Sequence, residues 1–251
     1  MIIDSHTHIV ESDAKREMEQ NPRISADTLV KWMDRTGIDR AVTFTEKGLY
    51  SYDEKENDNI ASATKKHPDR LIGFACVNPR YGDEAAEELE RAIVELGLKG
   101  LKLLPWFQLF SCTEKIVEPV FDKVVKLKIP VLIHTGYDIF SGPLDVSDLA
   151  DRYTEVPIIM GHSGCCGLWF DGIKAAKRSD NLYLEMSGNL SVAIEKMVSE
   201  VGAEKVLFGS DTPWVDPALE ILKIKTLRIC SRDKELILGE NLRKLLVKWG
   251  I

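Results

Sequence analysis

Short apolar runs alternate with longer amphipathic segments from one end of the chain to the other, and no other feature of the sequence restricts the fold as much. Eight runs are short enough to be strands: residues 2–7, 41–45, 71–77, 100–104, 131–134, 158–162, 182–186 and 206–209. Strands that alternate with helices imply βα units and a parallel sheet. Eight such strands close a barrel, so the predicted class is α/β, a (β/α)8 TIM barrel. The size agrees, because barrels of this kind commonly reach about 250 residues as one domain. Nothing resembles a linker or a low-complexity tract, so residues 1–251 are expected to form that single domain.

The intervening helices announce their ends. Ser25 is placed to cap a helix whose Leu29, Trp32 and Met33 share a face, with Gly37 placed to end it. Asp83 is expected to cap a helix carrying Leu89, Ile93 and Leu96, and Asp216-Pro217 to start another. Residues 233–249 are expected to form one closing helix. His67, before Pro68, reads as a helix-end residue.

Composition narrows the partners. With 33 basic and 40 acidic residues the formal charge is -7, and no long basic run exists. Neither nucleic acid nor an anionic membrane is therefore expected as a partner. No apolar stretch approaches the ~20 residues of a membrane span, and no basic region followed by an apolar one opens the sequence, which predicts a cytoplasmic protein. The five cysteines, Cys76, Cys112, Cys165, Cys166 and Cys230, are odd in number and form no CxxC pair, against a disulfide framework or structural zinc. Cys165 and Cys166 read as small buried side chains, with site-lining thiols as the alternative.

Against this background the positions of the histidines stand out. In His6-Thr7-His8 the two imidazoles are separated by one residue, and alternate residues of a strand point to one face. His134 ends the fifth run and His162 the sixth, each followed by small turn residues, while Asp211 follows the eighth. In a (β/α)8 barrel these are the C-terminal ends of strands, where active sites lie. Five potential metal ligands on one rim point to a metal centre.

These residues resemble those of the amidohydrolase superfamily. The matching elements are His6-x-His8, His134, His162 within Gly161-His162-Ser163-Gly164, and the segment Phe208-Gly209-Ser210-Asp211-Thr212-Pro213-Trp214. The chain is most similar to the amidohydrolase-related branch, which includes metal-dependent hydrolases and aminocarboxymuconate-semialdehyde-type decarboxylases. The resemblance implies that His6, His8, His134 and Asp211 hold a divalent metal, usually Zn²⁺, with His162 beside the bound water and Asp211 as a second proton acceptor. Neutral imidazole and carboxylate suit zinc, and an open position lowers the pKa of bound water to ~7. Lys102, near the end of strand four, bears on nuclearity. Carboxylated, it would bridge two metals and make His162 a ligand; uncarboxylated, it would face a substrate carboxylate or pair with Glu185 or Glu46. The branch implies one ion.

Aromatic residues follow the strands at Tyr50, Trp106, Phe107, Phe110, Tyr137, Phe140, Trp169 and Trp214, either packing the loops or forming an apolar wall for a small-molecule substrate. Of these, Trp106 and Trp214 are expected, with Lys102, to meet the substrate. Arg80 is expected to bind an anionic group or pair with an acid. The leading functional expectation is metal-activated hydrolysis of an amide, lactone or ester-like bond, with His162 or Asp211 moving the proton. The alternatives are non-oxidative decarboxylation of an unsaturated or aromatic acid, and a non-catalytic metal- or ligand-binding barrel. A homo-oligomer is common among such barrels, but no patch in the sequence marks an interface.

Overall fold

The computed structural model describes residues 1–10, 24–49, 55–136 and 140–251. Chain order alternates strands and helices: β1 (Ile3–Ile9), α1 (Ala26–Thr36), β2 (Arg40–Thr45), α2 (Lys55–Lys66), β3 (Leu71–Gly73), β4 (Ala75–Cys76) and α3 (Asp83–Val94). There follow β5 (Leu101–Leu103), α4 (Pro105–Gln108), α5 (Glu118–Leu127), β6 (Val131–His134), α6 (Pro143–Arg152), β7 (Ile158–Gly161) and α7 (Cys165–Arg178). The last elements are β8 (Leu182–Glu185), α8 (Ser191–Val201), β9 (Val206–Leu207), α9 (Pro217–Thr226), α10 (Ser231–Glu235) and α11 (Asn241–Lys248). Among the described residues no helix is long and apolar enough to cross a membrane.

Within each of two sheets every strand pairs in parallel with its neighbours, in the orders β1-β2-β3 and β4 through β9. The third expected strand is divided at Phe74, where its partner changes. Phe74 N–H donates to Thr43 O on β2, while Ala75 N–H donates to Gly100 O ahead of β5. The ring closes where Ser5 N–H donates to Phe208 O and His8 N–H to Thr212 O. Eight strand positions thus form the predicted (β/α)8 barrel, with one position in two pieces.

Parity decides which side chains enter the barrel. Val131 and Ile133, Ile158 and Met160, and Leu101 and Leu103 join the large core beneath the helices. Leu132 and Ile159 belong to a separate inner cluster with Ile3, Val42, Phe44, Ile72 and Phe74, closed off by Leu242, Leu245 and Leu246 of α11. Alternation therefore turns Lys102, His134 and Glu185 inward. On β1, simple alternation would set Ile3 and His6 on opposite faces. A register shift between Asp4 and Thr7 inserts one extra residue, and such a bulge exchanges the two faces. Ile3 fills the inner core, and His6 and His8 still point inward.

Asp4 completes the bulge, its Oδ1 accepting from His6 N–H at 3.0 Å and from Ser210 N–H at 2.9 Å. Its Oδ2 is buried with no hydrogen-bond partner among the described residues. Burial raises this carboxyl from 3.8 to about 7. A carboxyl raised on folding takes up a proton between those values, so its contribution to stability falls as pH rises through that window and is flat above it. Asp4→Asn keeps an acceptor and removes the charge. It is expected to match the parent in urea midpoint near pH 4 and to exceed it by roughly 1–3 kcal/mol at pH 8; an equal difference at both pH values would refute this.

Two of the expected caps are present. Ser25 Oγ accepts from Thr28 N–H, with Gly37 left-handed at φ 76°, and Asp216 accepts from Ala218 N–H. Asp83 is instead the first residue of α3, with Gly82 in the cap position. The expected closing helix is divided into α10, a wider turn over Leu236–Glu240, and α11. His67 follows α2, its Nε2 2.7 Å from Asp27 Oδ1.

Candidate metal centre

The inward imidazoles form an arc at the C-terminal mouth. Ring centroids are 5.3 Å apart for His8 and His6, 4.8 Å for His6 and His162, and 4.5 Å for His162 and His134. Asp211 lies across the arc, its Oδ1 3.1 Å from His8 Nε2 and 3.3 Å from His6 Nε2. His162 Nε2 is 3.1 Å from His134 Nδ1. Donors ~2.0–2.1 Å from a tetrahedral zinc are about 3.3 Å from one another, so nitrogen and carboxylate atoms at these separations fit a small divalent ion.

The tightest group differs from the expected ligand set. Among the described residues, the donor atoms of His6, His162 and Asp211 all lie within 4.8 Å of one another. His8 joins that group through Asp211, and His134 through His162. His162, expected beside the metal, is thus inside the donor cluster, while His8 and His134 flank it.

Carboxylates behind the rings fix how they face. Glu185 Oε2 is 2.9 Å from His6 Nδ1, and Glu46 Oε2 is 2.6 Å from His8 Nδ1. A carboxylate only accepts, so His6 Nδ1 donates to Glu185, while Glu46 faces His8 Nδ1 as a close ionic neighbour, and each Nε2 turns toward Asp211. In the sequence Glu185 and Glu46 stood out only as partners for Lys102. The signal of their role was an acid within or ending an apolar run, since buried carboxylates require partners.

Electrostatics follow from burial. Desolvation and then Lys102 hold His6 well below its ordinary pKa, and desolvation and then His162 do the same to His134. Burial opposes charge on His8, but Glu46 and Asp211 outweigh it and raise the ring to about 9. Burial likewise opposes charge on Asp211, yet the His8 hydrogen bond and nearby cations hold its carboxyl below the usual range. Lys102 is fully buried, with Nζ 3.2 Å from His6 Nε2 and 4.8 Å from the Phe44 ring centroid, and desolvation lowers it to about 8.

The backbone here is held in an uncommon conformation. His162, Ser163 and Cys165 have φ of 64°, 48° and 49°, and Asp211 has φ of 60°. Such residues persist where the surroundings over-determine them, at a cost of order 1–3 kcal/mol each. Asn189 Nδ2 donates to His162 O, Ser163 Oγ to Glu185 O, and Gly164 N–H to Thr135 Oγ1. Gly209 supplies the clearance, since a Cβ there would run into the Glu185 carboxylate and the His6 Cβ.

The rim residues divide. Trp106 and Trp214 are exposed, Trp106 stacking on Phe107, whereas Phe110 is buried. Trp169 packs against Phe170, and Phe140 is half-buried. Tyr50 and Tyr137 lie outside the described residues. Arg80 Nη1 donates to Leu109 O, so this guanidinium braces a loop. Cys165 is half-buried at the start of α7.

Known proteins extend the comparison. A family model described as amidohydrolase matches residues 3–247. A gamma-resorcylate decarboxylase from Rhizobium sp. (strain MTP-10005) is 25% identical, over 94% of this chain and 91% of its own. The solved 5-carboxyvanillate decarboxylase of Sphingomonas paucimobilis superposes with a TM-score of 0.77 at 18% identity, covering 98% of both chains. A dihydroxybenzoic acid decarboxylase from Polaromonas sp. JS666, solved with manganese and the inhibitor 2-nitroresorcinol, gives 0.78 at 18% identity, over 98% of this chain and 96% of that one. These structural likenesses show the TIM-barrel fold.

The expectation of hydrolysis is corrected by these comparisons. The curated relatives matched over 94% of the chain are named gamma-resorcylate decarboxylases, so they stand against amide, lactone or ester hydrolysis as the leading reading. The ligand pattern had no power to separate the two reactions, because both use the same imidazole and carboxylate platform. The match over nearly all of its length establishes that the chain belongs to the amidohydrolase family and is an enzyme of that superfamily.

Proposed function

We propose that this enzyme is a metal-dependent, non-oxidative decarboxylase of a small aromatic or unsaturated carboxylic acid. The observation that carries this reading is Lys102, a fully buried cation 3.2 Å from His6 Nε2. A lysine ammonium beside metal donors suits a substrate carboxylate, and the full-length likeness to gamma-resorcylate decarboxylase supports the same substrate class. His6, His8, His134 and Asp211 would hold one divalent ion. Nitrogen and carboxylate donors accept zinc or manganese alike, and manganese is the ion in the Polaromonas relative. When bound, the ion would supply positive charge that orients the acid and stabilises the negative charge developing on the substrate.

The reaction exchanges carbon dioxide for a proton. As the bond to the carboxylate breaks, its electron pair stays on the substrate carbon, and that carbon receives one proton. Lys102 Nζ fixes the carboxylate, and His162 Nε2, inside the donor cluster, delivers the proton at the carbon being vacated. Trp106 and Trp214 offer exposed ring faces to a planar substrate at the mouth.

The test is a panel of hydroxylated benzoates, gamma-resorcylate among them, and unsaturated acids, assayed with zinc- and manganese-loaded protein. At least one acid is expected to give one carbon dioxide per molecule consumed, with KM for it raised about tenfold in Lys102→Met, as for a lost charged hydrogen bond. Folded, loaded protein that releases none from any acid would overturn the proposal.

A further inference from the structure

Behind His162 lies a chain of hydrogen bonds whose direction follows from counting protons. Ser187 Oγ is 2.8 Å from His162 Nδ1 and 2.9 Å from Glu185 Oε2. Glu185 Oε2 also receives His6 Nδ1–H at 2.9 Å and His162 N–H at 3.0 Å, and Glu185 Oε1 accepts from Ser187 N–H at 2.5 Å. Each of these residues is buried. A carboxylate has no proton to give, so the single hydroxyl hydrogen of Ser187 goes to Glu185. The Ser187 oxygen then faces His162 as an acceptor. The backbone agrees, because Ser187 O lies 3.3 Å from the same Nδ1 and would oppose a lone pair there.

We propose that Ser187 is a positioning residue for the reaction. It pins His162 with one proton on Nδ1, so that Nε2, aimed into the donor cluster, takes up a proton from solvent before each turnover and gives it to the substrate carbon, and it links that ring to the charge of Glu185. One carboxylate oxygen thereby sets two rings at once, His6 directly and His162 through the hydroxyl. During turnover only the Nε2 proton of His162 is exchanged. The Nδ1 proton stays hydrogen-bonded to Ser187, the hydroxyl proton stays on Ser187, and Glu185 remains a carboxylate throughout. Asn189, two residues further on, holds the carbonyl of His162 at 2.7 Å, so one loop positions both the backbone and the ring.

This inference rests on the decarboxylase reading for its kinetic consequence but not for its structural one, and its test has an arm for each. In zinc-loaded protein labelled with ¹⁵N-histidine, nitrogen spectra should show His162 as a single Nδ1–H form with a slowly exchanging, downfield ring proton. The signal is assigned by its absence in His162→Asn. Ser187→Ala should broaden or lose that proton through exchange with water, while Ser187→Thr, which retains the hydroxyl, should keep it. On an acid that the parent decarboxylates, Ser187→Ala should lower kcat roughly 10–100-fold, the usual effect of removing the partner behind a site histidine, with KM within about twofold. Ser187→Thr should restore most of kcat.

An unchanged His162 signal in Ser187→Ala overturns the inference, whether or not any acid is turned over. So does a threonine variant as impaired as the alanine one, which would make the effect one of packing. If the parent releases no carbon dioxide from any acid, the functional reading falls and the nitrogen spectra still decide the role of Ser187.

Discussion

Asp211→Asn is expected to reduce carbon dioxide release by more than a hundredfold and to weaken binding of the divalent ion. Its Oδ1 lies 3.1 Å from His8 Nε2 and 3.3 Å from His6 Nε2, so one atom holds two rings at the spacing of a shared ion. The amide removes the negative charge that offsets the ion and leaves the shape almost unchanged. Loss of a partner one step behind a metal typically costs about 10–100-fold, and loss of a donor itself should cost more. Turnover and calorimetric titration with zinc or manganese, carried out on the same preparation, check both effects. Undiminished metal affinity in the variant would remove Asp211 from the proposed ligands.

Glu185→Gln is expected to have the largest effect on stability. The carboxylate is fully buried and accepts from His6 Nδ1, His162 N–H, Ser187 Oγ and Ser187 N–H. Its amide would turn an NH2 group against at least one of those donors. Breaking a buried, hydrogen-bonded charge typically costs about 3–5 kcal/mol, and a similar loss is expected in urea unfolding. Metal affinity should fall as well, because His6 loses the partner that sets its Nε2. A variant within about 1 kcal/mol of the parent would mean that these bonds do not define the site.

Much of this architecture is legible in the sequence for simple reasons. Parallel strands covered on both sides leave short apolar runs, and the histidines and the aspartate stand where those runs end. The division of the third strand is not legible, because Phe74 changes partner between β2 and β5 without any break in apolar character. Nor is the bulge in β1, which depends on pairing with β2 and decides that His6 and Ile3 share a face. Ser187 carries no local sign of its role. A serine after a strand is common in turns, and its importance arises only when β7 and β8 bring His162 and Glu185 around it. The reaction is the least legible element, since hydrolysis and decarboxylation draw on the same donors and differ in what stands beside them.

The most direct test of the central claim follows carbon dioxide and the replacing proton together. The protein is loaded with manganese, stripped by a chelator and reloaded, and at each stage is incubated in deuterium oxide with the acid it turns over best. Decarboxylation at this centre predicts one carbon dioxide per acid consumed, one deuterium at the vacated carbon, loss of both on stripping and recovery of both on reloading. Equal carbon dioxide release from the stripped and the loaded protein, or an acid left intact by the folded, loaded protein across the whole panel, would contradict it.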